Sequence, residues 1–200
     1  MSNRTVARMT LGLQGLYAAA AFGWRSWVRR RESGDTGLRL AGDGPAGSRA
    51  SISLMVAGAV ACVAGTAAAA GSPLRRVSPL RCVGLAGIAL GLAATYRSQV
   101  EMGASWRIGV DPAERTELVT TGLFRWVRNP MFASACLVAI AGAAAVTTPV
   151  TAVGAAMVTL GVELQVRRVE EPYLRTAHGD AYLDYARATG RFCPGIGRLR

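Results

Sequence analysis

Long apolar blocks separated by short polar stretches dominate this chain. The blocks lie at about 9–28, 51–70, 82–96, 130–146 and 150–166. Each is read as a helix crossing a membrane. The second is the clearest, with no charge over roughly the ~20 residues that a bilayer core requires. Trp24 and Trp27 stand near the end of the first block as interface anchors, and Arg29, Arg30 and Arg31 are expected to stop it. Residues 32–49 are rich in Gly, Asp, Ser and Arg and predict a flexible loop. SPLRRVSPLR (72–81) predicts a short loop with two prolines. In the third block Gly84, Gly87 and Gly91 fall on one helix face, either as a close-packing surface or as chance in an Ala/Gly-rich background. A long polar loop over 97–129 follows, and loops of that length are usually functional. Thr147-Thr148-Pro149 joins the last two blocks so tightly that a helical hairpin is expected. Pro172 opens a short amphipathic helix, with Tyr173, Leu174, Ala177, Ala181, Tyr182 and Tyr185 on a shared face. The fold class is therefore all-α, a single polytopic membrane domain of five spans with a C-terminal helix outside the bilayer.

Composition strengthens the membrane reading. The chain is 51% hydrophobic and 6% aromatic, and Ala and Gly dominate the apolar part, which suits close helix packing in lipid. No acidic residue occurs from Gly44 to Val100, where a soluble helix would need a charged outer face. All 23 basic residues are arginine and the net charge is +11. In a soluble protein that charge would point to nucleic acid. Here the arginines flank apolar blocks, so no nucleic-acid partner is expected. Five spans put eighteen arginines on one side and five on the other. The positive-inside rule then places the N-terminus outside, and the 97–129 loop and the 167–200 tail in the cytoplasm. All-arginine usage hints at a GC-rich genome and a bacterial plasma membrane. The first block lacks a small-residue cleavage site after it and reads as a retained span. Cys62, Cys82, Cys136 and Cys193 form no CxxC and read as small core residues. A single histidine, His178, leaves no His-based metal site, and packing or solvation is its simplest role.

Candidate chemistry sits in two stretches, LVTTGLFRWVRNPMF (118–132) and VELQVRRVEEPYL (162–174). Glu163, Arg167, Glu170 and Glu171 follow an i, i+4, i+7, i+8 pattern and so share a helix face. They make either a functional carboxylate cluster or a Glu163–Arg167–Glu171 ladder that anchors the helix. Arg128-Asn129-Pro130 has a plain reading too, as an interfacial arginine before a helix-opening proline.

The order of the short motifs is more specific than any one of them. Leu118-Val119-x-x-Gly122-x-Phe124 precedes Arg128-Asn129-Pro130-x-Phe132. A hairpin, Glu170-Glu171, Gly179-x-x-Tyr182-x-x-Tyr185 and Gly190-Arg191-Phe192-x-Pro194 follow. Over about residues 97–195 this resembles the membrane methyltransferases of the isoprenylcysteine carboxyl methyltransferase type, and more loosely the phospholipid N-methyltransferases.

The resemblance implies S-adenosylmethionine as methyl donor and a lipophilic acceptor, possibly a carboxylate, entering from the bilayer. It places Leu118, Val119, Gly122, Asn129, Pro130, Phe132, Glu170, Glu171 and Tyr182 around the donor. Glu170 and Glu171 match the carboxylates that handle its ammonium or ribose, and Phe132 or Tyr182 would stack nearby. Arg128 is the candidate catalytic group, its two-pronged guanidinium orienting an acceptor carboxylate. Trp106 and Arg167 fall to the substrate side, Trp106 either as channel wall or as interface anchor. Methyl transfer from a sulfonium is an in-line displacement that needs positioning and no metal. This chain departs from the family pattern at the histidine, here Asn129, which cannot titrate near neutral pH, and at two tyrosines, here Phe124 and Phe132. Pro172 after the glutamate pair is expected to break or kink the fifth helix. The absence of Gly-x-Gly-x-x-Gly after a strand excludes a soluble Rossmann-type methyltransferase. A nicotinamide-dependent membrane reductase of the sterol reductase type and a non-catalytic binding protein are the alternatives.

Overall fold

The computed structural model describes residues 2–34, 36, 48–71, 79–106 and 117–199. Residues 72–78 of the expected 72–81 loop, 107–116 of the expected 97–129 loop, and most of the expected 32–49 loop lie outside the described residues. The described residues form helices α1 (Asn3–Ala18), α2 (Arg25–Ser33), α3 (Ser48–Ala70), α4 (Pro79–Met102), α5 (Pro130–Ala145), α6 (Pro149–Gln165) and α7 (Glu171–Ala188), with no strand among them. Two π-helical stretches, Ala19–Trp24 and Val166–Glu170, join α1 to α2 and α6 to α7 without a break. Among the described residues, three helices are long and apolar enough to cross a membrane: Ser48–Ala70, Pro79–Met102 and the continuous Pro149–Ala188. Helix α5 is apolar but has 16 residues, about 24 Å at 1.5 Å per residue.

Three boundaries differ from the expected ones. The first helix runs through Arg29–Arg31 because arginine is a good helix former. It stops at Gly34, whose φ of 75° makes the left-handed cap. The third block continues to Met102, where Arg97 and Glu101 pair at i, i+4 (2.6 Å) and no breaker intervenes before Gly103. Pro172 does not break the fifth helix. It falls in the first turn of α7, where a missing N–H costs little. The departure from helical geometry comes at Gly179, with φ 52° and ψ −130°.

Small residues set the packing. Gly58, Cys62 and Gly65 on α3 face Gly154, Val158 and Gly161 on α6, spaced four and three apart in both helices. A Cβ at Gly58 would lie 2.7 Å from the Gly154 carbonyl, and one at Gly154 2.7 Å from the Gly58 carbonyl. The face expected of Gly84, Gly87 and Gly91 packs on α5, against Ala141, Ala145 and Val138. The α5–α6 hairpin turns at Thr148, which forms a reciprocal capping box with Thr151 ahead of Pro149. Val6 and Ala7 of α1 meet Ala69 at the far end of α3, so these two helices run antiparallel.

Candidate active site

The 118–132 stretch is shaped by partners distant in sequence. Gly122 has φ 60° and opens a 3-10 turn, Gly122–Arg125. The Glu101 carboxylate accepts a hydrogen bond from the Leu123 N–H (2.7 Å), and a Cβ on Gly122 would collide with it at 2.1 Å. Glycine is required there on both counts. Farther on, the Tyr185 hydroxyl donates to the Phe124 carbonyl (2.6 Å). Val127 bridges Gly190. Arg128 N–H donates to the Gly190 carbonyl (2.8 Å) and Asn129 N–H to the Arg191 carbonyl (3.2 Å). The Asn129 side-chain amide donates to that same carbonyl (3.3 Å). Pro130 then opens α5.

Arg128 and Glu171 form a buried ion pair (2.7 Å), their side chains 1% and 4% exposed. Every terminal N–H of Arg128 is engaged inside the protein. One nitrogen donates to the carbonyls of Ala186 and Thr189, the other to Glu171 and to the carbonyl of Gly197. Only its Nε is left without a partner. Glu171 also accepts two bonds from Arg191, at 2.9 and 2.8 Å. Burial pushes the Glu171 carboxyl up, but hydrogen bonds from Arg191 and Arg128 outweigh it and hold it below the ordinary carboxylate range. Tyr182 is buried beside this cluster, its hydroxyl pushed up to about 12 by burial and by the Glu171 charge.

Above the cluster lies a cavity of ≈ 510 Å³. Leu118, Val119, Arg128, Asn129, Pro130, Phe132 and Glu170 line it, together with Glu117, Phe124, Leu174 and Tyr185. Its far wall comes from α1, the first π stretch and α3, where Phe22, Val56, Val60 and Val63 are also exposed on the protein's outer surface. One end of the cavity is thus polar and the other apolar.

The expected site residues divide into groups. Seven of the ten expected around the donor or in catalysis line the cavity. Gly122, Glu171 and Tyr182 stand behind it and shape it. Trp106 is fully buried and its carbonyl accepts a bond from Arg29. Arg167 is an exposed partner of Glu163, away from the cavity. The ladder therefore stops at Glu163–Arg167. The π turn adds a residue between Arg167 and Glu171, so Glu171 turns inward rather than continuing the face. Sequence reading missed Glu117, Glu101 and Arg191 as partners. Glu117 adjoins Leu118, and Glu101 follows Arg97 by four, so both had a local signal. Arg191 had only its place in the closing segment.

An all-helical protein whose long apolar helices close over a partly polar cavity is the class that fold and site define. Residues 79–181, more than half of the chain, match the family of phospholipid methyltransferases. The chain belongs to that family, a family of membrane methyltransferases. No curated protein matches it.

Proposed function

We propose that the protein transfers a methyl group from S-adenosylmethionine to a lipophilic acceptor carrying an amine head. The observation that carries this is one cavity joining Glu117, Glu170 and Asn129 to an exposed apolar wall. The donor is cationic at its sulfonium and ammonium, and Glu170 is the family-motif carboxylate that faces the cavity. Glu171 supports the site from behind. An acceptor tail would lie along Val56, Val60 and Phe22. The amine lone pair attacks the methyl carbon, the C–S bond breaks with its electrons going to sulfur, and the new ammonium sheds a proton to solvent. Asn129 has no titrating proton to exchange, so positioning and exclusion of water are the protein's main levers. On this reading α1 with its π stretch and α5 complete a five-span bundle in a bacterial plasma membrane. Its N-terminus is outside, and the 97–129 and 167–200 segments are cytoplasmic.

A carboxylate acceptor, as in the isoprenylcysteine enzymes, is the second reading. Arg128, a cationic residue in the cavity lining, favours it. The occupied fork of Arg128 and the family's name favour the amine. Calorimetry on detergent-purified protein tests the donor. S-adenosylmethionine should bind, and Glu170→Gln should weaken it about tenfold, the loss of one charged hydrogen bond. A folded protein that does not bind it, or that is stabilised by NADPH instead, refutes the proposal. Labelling a lipid extract with the tritiated methyl donor separates the acceptors, because methyl esters release methanol in alkali and N-methyl groups do not.

A further inference from the structure

The first helix packs against α3 and α4 along α1 and stays against α4 along the π stretch. Three side chains fasten it there. Gln99 of α4, fully buried, donates from its one amide nitrogen to the carbonyls of Ala20 (3.0 Å) and Ala21 (3.1 Å). Arg25 donates to the Gly103 carbonyl and Arg29 to that of Trp106, just past the end of α4. The Gln99 bonds fall inside the distorted turn. A π turn inserts one residue into the α ladder and loosens the local carbonyls. A side chain that reaches into the ladder is a recognised cause of such a distortion. Reverting it to α geometry would rotate the segments on its two sides against each other by about 100° and shift them by about 1.5 Å, and with them the wall built on the turn.

That wall bounds the cavity. Ala18, Ala21 and Phe22 face it from the first helix, and Ile52, Met55 and Val56 from α3. Among the described residues, the two sets together make the apolar far wall of the cavity.

We propose that Gln99 is a positioning residue, whose amide holds the Ala19–Trp24 π turn and thereby sets the gap between Phe22 and Val56 through which the acceptor's apolar chain lies. This rests on the membrane methyltransferase reading for the acceptor, but the geometry of the gap does not. Gln99→Leu keeps the bulk and removes both donors. Gln99→Glu keeps the shape and, when ionised, offers only acceptors to two carbonyls.

Spin labels at Phe22→Cys and Val56→Cys, in a background with the four native cysteines replaced, report the gap by electron–electron resonance. Gln99→Leu and Gln99→Glu should each shift the distance distribution, with S-adenosylmethionine binding by calorimetry unchanged. An unshifted distribution overturns the proposal. With phosphatidylethanolamine vesicles as acceptor, KM for the lipid should rise roughly tenfold while KM for the donor holds. A purely structural role would lower both kcat and donor binding. Ala21→Leu, which narrows the same wall without touching Gln99, should raise the lipid KM alone, and no change there also counts against the proposal. Absence of methyl transfer by the unmodified protein would refute the enzyme reading, leaving the distance measurement to judge Gln99.

Discussion

Arg128 shows how far a residue's role depends on what surrounds it. A guanidinium next to a cavity is a natural clamp for an anion, yet here both terminal nitrogens serve Glu171 and three backbone carbonyls. Its first task is to hold the end of α7 and the tail against the 118–132 stretch. Removing one member of a buried ion pair leaves the other charge uncompensated, at about 3–5 kcal/mol. Arg128→Ala and Glu171→Ala should each lower the unfolding temperature in detergent markedly. Arg128→Lys should rescue little, since three donors on one ammonium cannot match a planar fork. Acid should act through the same carboxylate. Glu171 is held below its ordinary range, so its contribution is complete above the unfolded carboxylate value and lost as pH falls through the lower folded one. Stability measured down this acidic range should fall less steeply in Glu171→Gln than in the unmodified protein.

At the scale of elements, helix contacts here depend on missing side chains. The α3–α6 seam brings backbone to backbone at Gly58 and Gly154, where any Cβ would sit under 3 Å from the opposing chain. Gly58→Val or Gly154→Val should force the helices apart and cost at least the ~1–3 kcal/mol typical of overpacking. Gly12→Ala is the control. Nothing lies within 4 Å of a Cβ there, so a gain of about 0.5–1 kcal/mol is expected from helix propensity alone. Thermal unfolding of the three proteins in one detergent checks both signs. The π stretches belong to this scale as well. Each adds a residue to a helix and changes which face the following side chains present. At Val166–Glu170 that turns Glu171 inward and leaves Arg167 outside.

For the molecule as a whole, the site is braced from behind by its C-terminal tail. Gly190 and Arg191 pair with the backbone of Val127, Arg128 and Asn129. Arg191 grips Glu171, and Gly197 supplies a carbonyl to Arg128. The family match ends at residue 181, so this brace lies beyond it. A chain ending at Ala188 should remain in membranes, since the long apolar helices are intact. It should lose S-adenosylmethionine binding and unfold at lower temperature. Calorimetry on membranes or purified protein checks this, and full donor binding by the truncated chain would show that the tail is dispensable.

Much of this was legible in order along the chain. Long apolar blocks at 51–70, without a charge, and at 150–166, with Glu163 alone, read as helices where lipid offers no partner to the backbone, and the all-helical fold followed. The sequence of motifs from Leu118 to Pro194 carried the family, because spacing between local motifs survives as linear pattern. Helix ends were less legible, because arginines continue a helix as readily as they stop it. The arrangement of Glu171, Arg128 and Arg191 was not legible at all. It depends on a π turn that shifts register by one residue and on a tail folding back over 118–132. Gln99 reaching the carbonyls of Ala20 and Ala21 is of the same kind. Local sequence determined which segments are helical and apolar. Only the tertiary structure decided which charged groups face the cavity and which are bound up in holding it, since that is set by contacts between residues far apart in the chain.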